Sequence, residues 1–219
     1  MTMRRFGIAL AATLAVGALA ARGRAEDPPA GGADPMAAYM KMHEPGPAQA
    51  QLEKLEGAWS ATTRFFGPTG EMMDEGKGSS ENAMILGGRH LETWYSGSMM
   101  GMPFEGRGLL SHDNFRKVWQ MSWIDSVGSN QGTWEGASTS DLKTIVVTGS
   151  EATPFGTFDA RWTFKVESDD KYTMVSEKSP PGKNTWMKDM EIIYTRVVET
   201  DEPEAPGDGD EAPDEGGMR

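Results

Sequence analysis

Short runs in which apolar and polar residues alternate dominate the body of the chain. In TFDARWTFKVE every second residue from Phe158 to Val166 is apolar, and the residues between them are mostly polar or charged. The run RKVWQMSWID repeats this pattern, with Trp119, Met121 and Trp123 on one face. Such alternation is typical of β-strands that bury one face and expose the other.

These runs recur at a spacing of roughly ten residues and are separated by turn-forming pairs such as Asp-Asn and Pro-Gly. The pattern predicts strands at residues 58–66, 76–86, 89–97, 104–112, 116–125, 130–137, 143–150, 157–167, 171–178 and 186–197. An open sheet of that size would expose two edges, and closure into a barrel removes them. We therefore predict an all-β protein: a single up-and-down antiparallel β-barrel of about ten strands. A two-sheet sandwich is the alternative.

One segment before the strands has helical character. In PGPAQAQLEKLEGAW, Pro47 suits the first turn of a helix, Leu52 and Leu55 lie three residues apart, and Gly57 ends the segment. The sequence therefore predicts a short helix that leads into the barrel.

The two ends of the chain differ from its body. Residues 1–20 combine two arginines with an apolar run and small residues, which predicts a signal peptide and an exported protein, periplasmic or secreted. We assign residues 21–39 to a linker, 40–198 to the β-barrel domain and 199–219 to a disordered tail with nine acidic residues. No later stretch is apolar enough to insert into a membrane after cleavage.

Composition argues against several kinds of partner and chemistry. The formal net charge is −12, and a chain without clustered Lys and Arg is a poor partner for nucleic acid. The absence of cysteine excludes disulfides and a cysteine nucleophile. The three histidines, His43, His90 and His112, include no pair spaced for zinc. We assign no cofactor and no metal, and nothing in the sequence indicates an oligomeric state.

Two sets of motifs resemble known proteins. Gly57-Ala58-Trp59 resembles the G-x-W motif at the first strand of calycin barrels such as lipocalins, which implies that Arg196 on the last strand packs over Trp59 as a structural lock. Over residues 40–197 the chain resembles a bacterial family of unknown function, domain of unknown function fifteen seventy-nine. The resemblance implies a lipocalin-like barrel and no established activity. The stretches that carry it are PGPAQAQLEKLEGAW, MILGGRHLE, SGSMMGMPFEGRGLLSHDN, SWIDSVG and MEIIYTR.

The stretch SMMGMPFEG concentrates Met99, Met100 and Met102 around Gly101. We expect it to join two strands, with Gly101 at the bend and the methionines closing one mouth of the barrel, because methionine fills irregular apolar sites. Copper(I) binding is the alternative, since thioethers are soft ligands. A second cluster precedes the strands: Met36, Met40, Met42 and His43.

The inward aromatic positions form the candidate binding site. The predicted ligand-binding residues are Tyr95, Met100, Met102, Trp119, Trp123, Asp125 and Trp162. The leading hypothesis is a binding module for a small, mostly apolar molecule, although the same pattern would also suit a filled core. Asp125 either caps the turn that follows it or acts as an acid or ligand anchor.

The alternative is an enzyme for a small apolar substrate with Asp125 or His90 as the acid–base group; haem binding would need His90 inside the barrel.

Overall fold

The computed structural model describes residues 34–198 and consists of two short helices followed by ten strands. The helices are α1 (Pro35–Met42) and α2 (Pro47–Glu53). The strands are β1 (Gly57–Phe66), β2 (Met72–Ile85), β3 (His90–Met99), β4 (Met102–Asp113), β5 (Val118–Asp125), β6 (Gly132–Ala137), β7 (Thr144–Thr153), β8 (Gly156–Ser168), β9 (Lys171–Ser179) and β10 (Met187–Arg196). The predicted signal peptide, most of the predicted linker and the acidic tail lie outside the described residues.

The strands form a closed barrel in which each strand pairs with its neighbours in sequence, and β10 returns to pair with β1. This closing pair is antiparallel and runs from Trp59 opposite Arg196 to Phe65 opposite Met190. The up-and-down barrel is thus confirmed, and the two-sheet alternative is wrong. The buried positions alternate along each strand because successive side chains point to opposite faces of the sheet.

Helix α2 seals one end of the barrel, which we call the closed end. Leu52 and Leu55 are buried there, and the Leu55 carbonyl accepts hydrogen bonds from Trp59 Nε1 and Asn82 Nδ2, both at 2.9 Å. The Arg196 guanidinium lies 4.2 Å from the centroid of the Trp59 ring. It also donates to the carbonyls of Lys54, Glu56 and Asp169 at 2.7, 2.7 and 2.8 Å.

The helical region differs from the prediction in two ways: there are two helices instead of one, and the first starts earlier than expected. Helix α1 begins inside the segment assigned to a linker, where the Asp34 side chain caps it by accepting a hydrogen bond from the Met36 N–H at 2.9 Å. Pro45 and Pro47 separate α1 from α2, because proline disfavours helix at the residue before it. No side chain of α1 is buried. Between residues 34 and 198, no helix has the length and apolar character needed to cross a bilayer.

Candidate functional site

The barrel interior contains a cavity of about 390 Å³. Leu55 and Asn82 line it at the closed end, and the exposed residues Asn130 and Gln131 line it at the other end. We call this second end the mouth; its five turns are residues 67–71, 100–101, 126–131, 154–155 and 180–186. The volume lies in the range of roughly 300–1,000 Å³ that is usual for small-molecule sites.

Glycines on the inner wall leave room for this cavity. The indole of Trp123 lies across Gly106 and Gly108 of the neighbouring strand, so closely that a methyl group at Gly106 would overlap its six-membered ring. A methyl group at Gly108 would stand 2.8 Å from Cε3 of the same indole. The tryptophan therefore lies flat against the wall instead of projecting into the centre.

Two more aromatic rings rest on glycines in the same way. The Trp134 ring covers Gly132, and a methyl group at Gly149 would stand 2.6 Å from its Cδ1. Tyr95 lies against Gly78 and Gly97, where added methyl groups would stand 2.6 and 2.8 Å from its hydroxyl oxygen. Three large side chains thus occupy the wall and leave the axis of the barrel open.

The structure brings four of the predicted ligand-binding residues to the cavity. They are Tyr95, Trp123, Asp125 and Trp162. Trp119 shares their face but lies nearer the closed end, buried and with its ring centroid 4.7 Å from that of His112. It belongs to the packed core rather than to the cavity lining.

The methionine stretch forms a tight hairpin at the mouth. Met99 pairs with Met102, and the two turn residues, Met100 and Gly101, have φ of 51° and 76°. Gly101 is therefore at the bend, as predicted, and Met99 lines the cavity. The expectation that Met100 and Met102 contact the interior is wrong, because they lie at the tip of the hairpin, 59% and 55% exposed.

The Asp125 carboxylate caps the turn that follows β5. Its Oδ1 accepts hydrogen bonds from the backbone N–H groups of Val127 and Gly128 at 2.9 and 2.8 Å. Its Oδ2 accepts one from Trp123 Nε1 at 3.2 Å. Both oxygens thus have partners, and the turn-capping interpretation describes this residue.

The structure places His90 on the outer face of the barrel. Its inward neighbour Leu91 lines the cavity, whereas the His90 ring lies beside Ser111, with 2.7 Å between Nδ1 and Oγ. The haem hypothesis needed His90 inside the barrel, and its position on β3 contradicts it. Of the two residues named as an acid–base group, only Asp125 lines the cavity.

Sequence reasoning missed a group of charged side chains at the mouth end of the cavity. Lys178 Nζ lies 2.7 Å from Asp189 Oδ2 and 3.3 Å from Glu151 Oε2, and Trp162 Nε1 donates to Glu151 Oε1 at 3.1 Å. We call Glu151, Lys178 and Asp189 the polar cluster; all three line the cavity. Burial alone would lower the pKa of Lys178, but the two carboxylates outweigh burial and raise it.

The comparisons with known proteins place the chain by sequence and by fold. The profile of the family described as "Protein of unknown function (DUF1579)" matches residues 44–196. The crystal structure of Rv2717c from M. tuberculosis is 15% identical, with a TM-score of 0.50, and the alignment covers 71% of this chain and 100% of that one. The S-type phycobiliprotein lyase CPES from Guillardia theta is 11% identical, with a TM-score of 0.47 and coverage of 71% and 100%. No curated protein matches the chain.

Proposed function

The chain belongs to this family of unknown function, and we propose that it is a binding module that holds one small, mostly apolar molecule inside its barrel. The cavity of about 390 Å³ carries the proposal. A barrel built only for stability would fill its interior, since protein cores are normally packed like crystals. Here the aromatic side chains lie flat on glycines, and the space remains.

The chemical character of the lining supports an apolar guest. The apolar side chains around the cavity include Leu91, Leu110, Met121, Trp123, Phe164 and Ile192. Transfer of apolar surface from water to such a lining contributes about 25 cal/mol per Å². The polar cluster lies at one side of this lining and could hold the guest in one orientation.

We also propose that the protein is exported, on the basis of its N-terminal sequence. Fractionation of the source cells and intact-mass measurement would test this. We expect a chain without residues 1–20 in the exported fraction. A full-length chain in the cytosol would contradict export and would leave the binding proposal untouched.

Native mass spectrometry of protein purified from its own host tests the binding proposal directly, because a retained guest adds mass. A second test uses the neutral fluorescent probe N-phenyl-1-naphthylamine with a variant that fills the cavity. Thr93 lines the cavity and lies opposite Gly108, so Thr93→Phe should occupy the space. We expect probe affinity to fall by about tenfold or more, a loss of 1.4 kcal/mol or more.

Ser96→Phe is the matched control, because Ser96 lies on the same strand, exposed on the outer face. It adds the same ring outside the barrel and should leave probe affinity unchanged. Equal binding by both variants would place the probe outside the barrel and contradict the proposal.

A further inference from the structure

We infer that the wall around the polar cluster recognises an uncharged group that both donates and accepts hydrogen bonds, a hydroxyl or a carboxamide. The guest would then be an apolar alcohol or amide rather than a carboxylate or a phosphate ester. This inference rests on the proposed function and specifies the chemistry of the guest.

Three buried polar atoms, on residues that line the cavity, have no hydrogen-bond partner within residues 34–198. They are Trp134 Nε1, Ser176 Oγ and Asp189 Oδ1, and all three residues line the cavity. Trp134 is 6% exposed and Ser176 is 1% exposed. Leaving a buried polar atom unpaired costs about 1–3 kcal/mol. Such atoms are uncommon in folded proteins, and three beside one cavity indicate a missing partner.

The fold brings these atoms to one wall of the barrel. Ser176 lies opposite Trp162 on β8 and opposite Met190 on β10. The Trp162 ring packs edge-on against Trp134, with 5.8 Å between ring centroids. Lys178, two residues beyond Ser176 on the same face, carries the ion pair to Asp189. The strands β6 to β10 therefore bring all three residues to one side of the cavity.

The hydrogen-bonding capacity of these atoms selects the guest. Trp134 Nε1 can only donate, the Asp189 carboxylate can only accept, and the Ser176 hydroxyl can do both. An ammonium group could not accept from the indole, and an ether or ketone could not donate to the carboxylate. A hydroxyl or carboxamide can do both.

The charge of the polar cluster disfavours an anion. Glu151 and Asp189 outnumber Lys178, and Lys178 already pairs with both carboxylates. Asp125 at the mouth adds a further negative charge. A carboxylate or phosphate guest would therefore enter a site with net negative charge, where like charges repel.

Isothermal titration calorimetry at pH 7 with four probes that share one apolar body tests the inference. The probes are 2-naphthylmethanol, 2-naphthamide, naphthalene and 2-naphthoate. We expect the alcohol and the amide to bind about fivefold or more tighter than naphthalene, the gain of one net hydrogen bond. Naphthoate should bind more weakly than naphthalene. In Trp134→Phe and Ser176→Ala the ratio of alcohol affinity to naphthalene affinity should fall to about one.

Trp94→Phe is the control, because Trp94 lies on the outer face under the Arg107 guanidinium. It should keep the preference for the alcohol. Naphthalene and the alcohol binding equally to the wild type would overturn the inference and leave the binding module standing. A parallel loss of all probes in Ser176→Ala would assign that serine to packing and overturn its role here. If no probe binds the wild type, the proposed function fails and this inference fails with it.

Discussion

The indole of Trp123 occupies the space that a side chain at Gly106 would fill. The two residues lie on adjacent strands, where Gly106 pairs with Asp125 and Trp123 with Gly108. The ring therefore leans along the wall toward the mouth. Because Gly106 has no side chain, the Trp123 ring can lie against the wall and stay out of the cavity. The size of the cavity depends on this placement of the ring.

Gly106→Ala should push the Trp123 ring into the cavity. Overpacking of this kind costs about 1–3 kcal/mol of folding free energy. We expect the affinity for N-phenyl-1-naphthylamine, measured by titration, to fall. The tryptophan emission of the protein should also change. Glu105→Ala, at the next residue but on the exposed outer face, should change neither. Unaltered probe binding in Gly106→Ala would show that the ring does not border the guest.

Arg196→Lys should destabilise the closed end by about 2 kcal/mol. The guanidinium donates to three backbone carbonyls and covers the Trp59 ring, and a lysine ammonium cannot reproduce this planar set of contacts. Chemical denaturation would measure the loss. Arg116→Lys is the control, because Arg116 pairs with Glu135 at the exposed surface and should cost less than about 1 kcal/mol. Equal losses in the two variants would contradict a locking role for Arg196.

Lys178→Met should lower the free energy of unfolding by about 3 kcal/mol, since it leaves Glu151 and Asp189 together without a cation. The triple variant Glu151→Gln, Lys178→Met, Asp189→Asn removes every charge of the polar cluster and should recover most of that loss. Thermal and denaturant unfolding of both variants would measure the difference. A triple variant as unstable as the single one would show that lysine packing, not charge, matters here.

Tyr194→Phe should make the protein more resistant to alkali. Burial raises the pKa of Tyr194 well above its ordinary value, and its ring stacks on Tyr172 at 4.2 Å. The unfolded chain releases this proton near pH 10 and the folded chain does not. The contribution to stability is therefore complete below pH 10 and is lost as the pH rises toward the folded-state pKa.

Because Tyr194→Phe has no such proton to release, its free energy of unfolding should fall by up to about 1.4 kcal/mol less per pH unit than that of the wild type. Urea unfolding between pH 9 and pH 11.5 would measure the slope. Tyr39→Phe, on the exposed surface of α1, should leave the slope unchanged. Identical slopes in wild type and Tyr194→Phe would contradict a neutral, buried phenol.

The strands could be predicted from the sequence because a period of two residues is a local property. The inward direction of Trp123, Asp125 and Trp162 followed from the same alternation. Depth along the barrel did not: Trp119 shares the face of Trp123, yet it packs beside His112 at the closed end. Depth depends on the stagger between strands, which a single run does not contain.

Part of the polar cluster could be predicted from the sequence. Lys178 continues the alternating inward positions of Tyr172, Met174 and Ser176 on β9, so a charge inside the barrel was visible in the pattern. The inward position of Asp189 could not be predicted, because this residue lies where the β9–β10 register shifts between Lys188 and Met190. A bulge inserts one residue and changes the face that follows, and no alternation rule anticipates it.

The barrel has a floor at α2 and opens at the opposite end, and the polar cluster lies beside that opening. A guest bound as proposed would enter with its apolar part first and keep its hydroxyl or amide near the mouth. This polar group would then face outward, where a second macromolecule could reach it while the guest stays bound and the barrel stays folded.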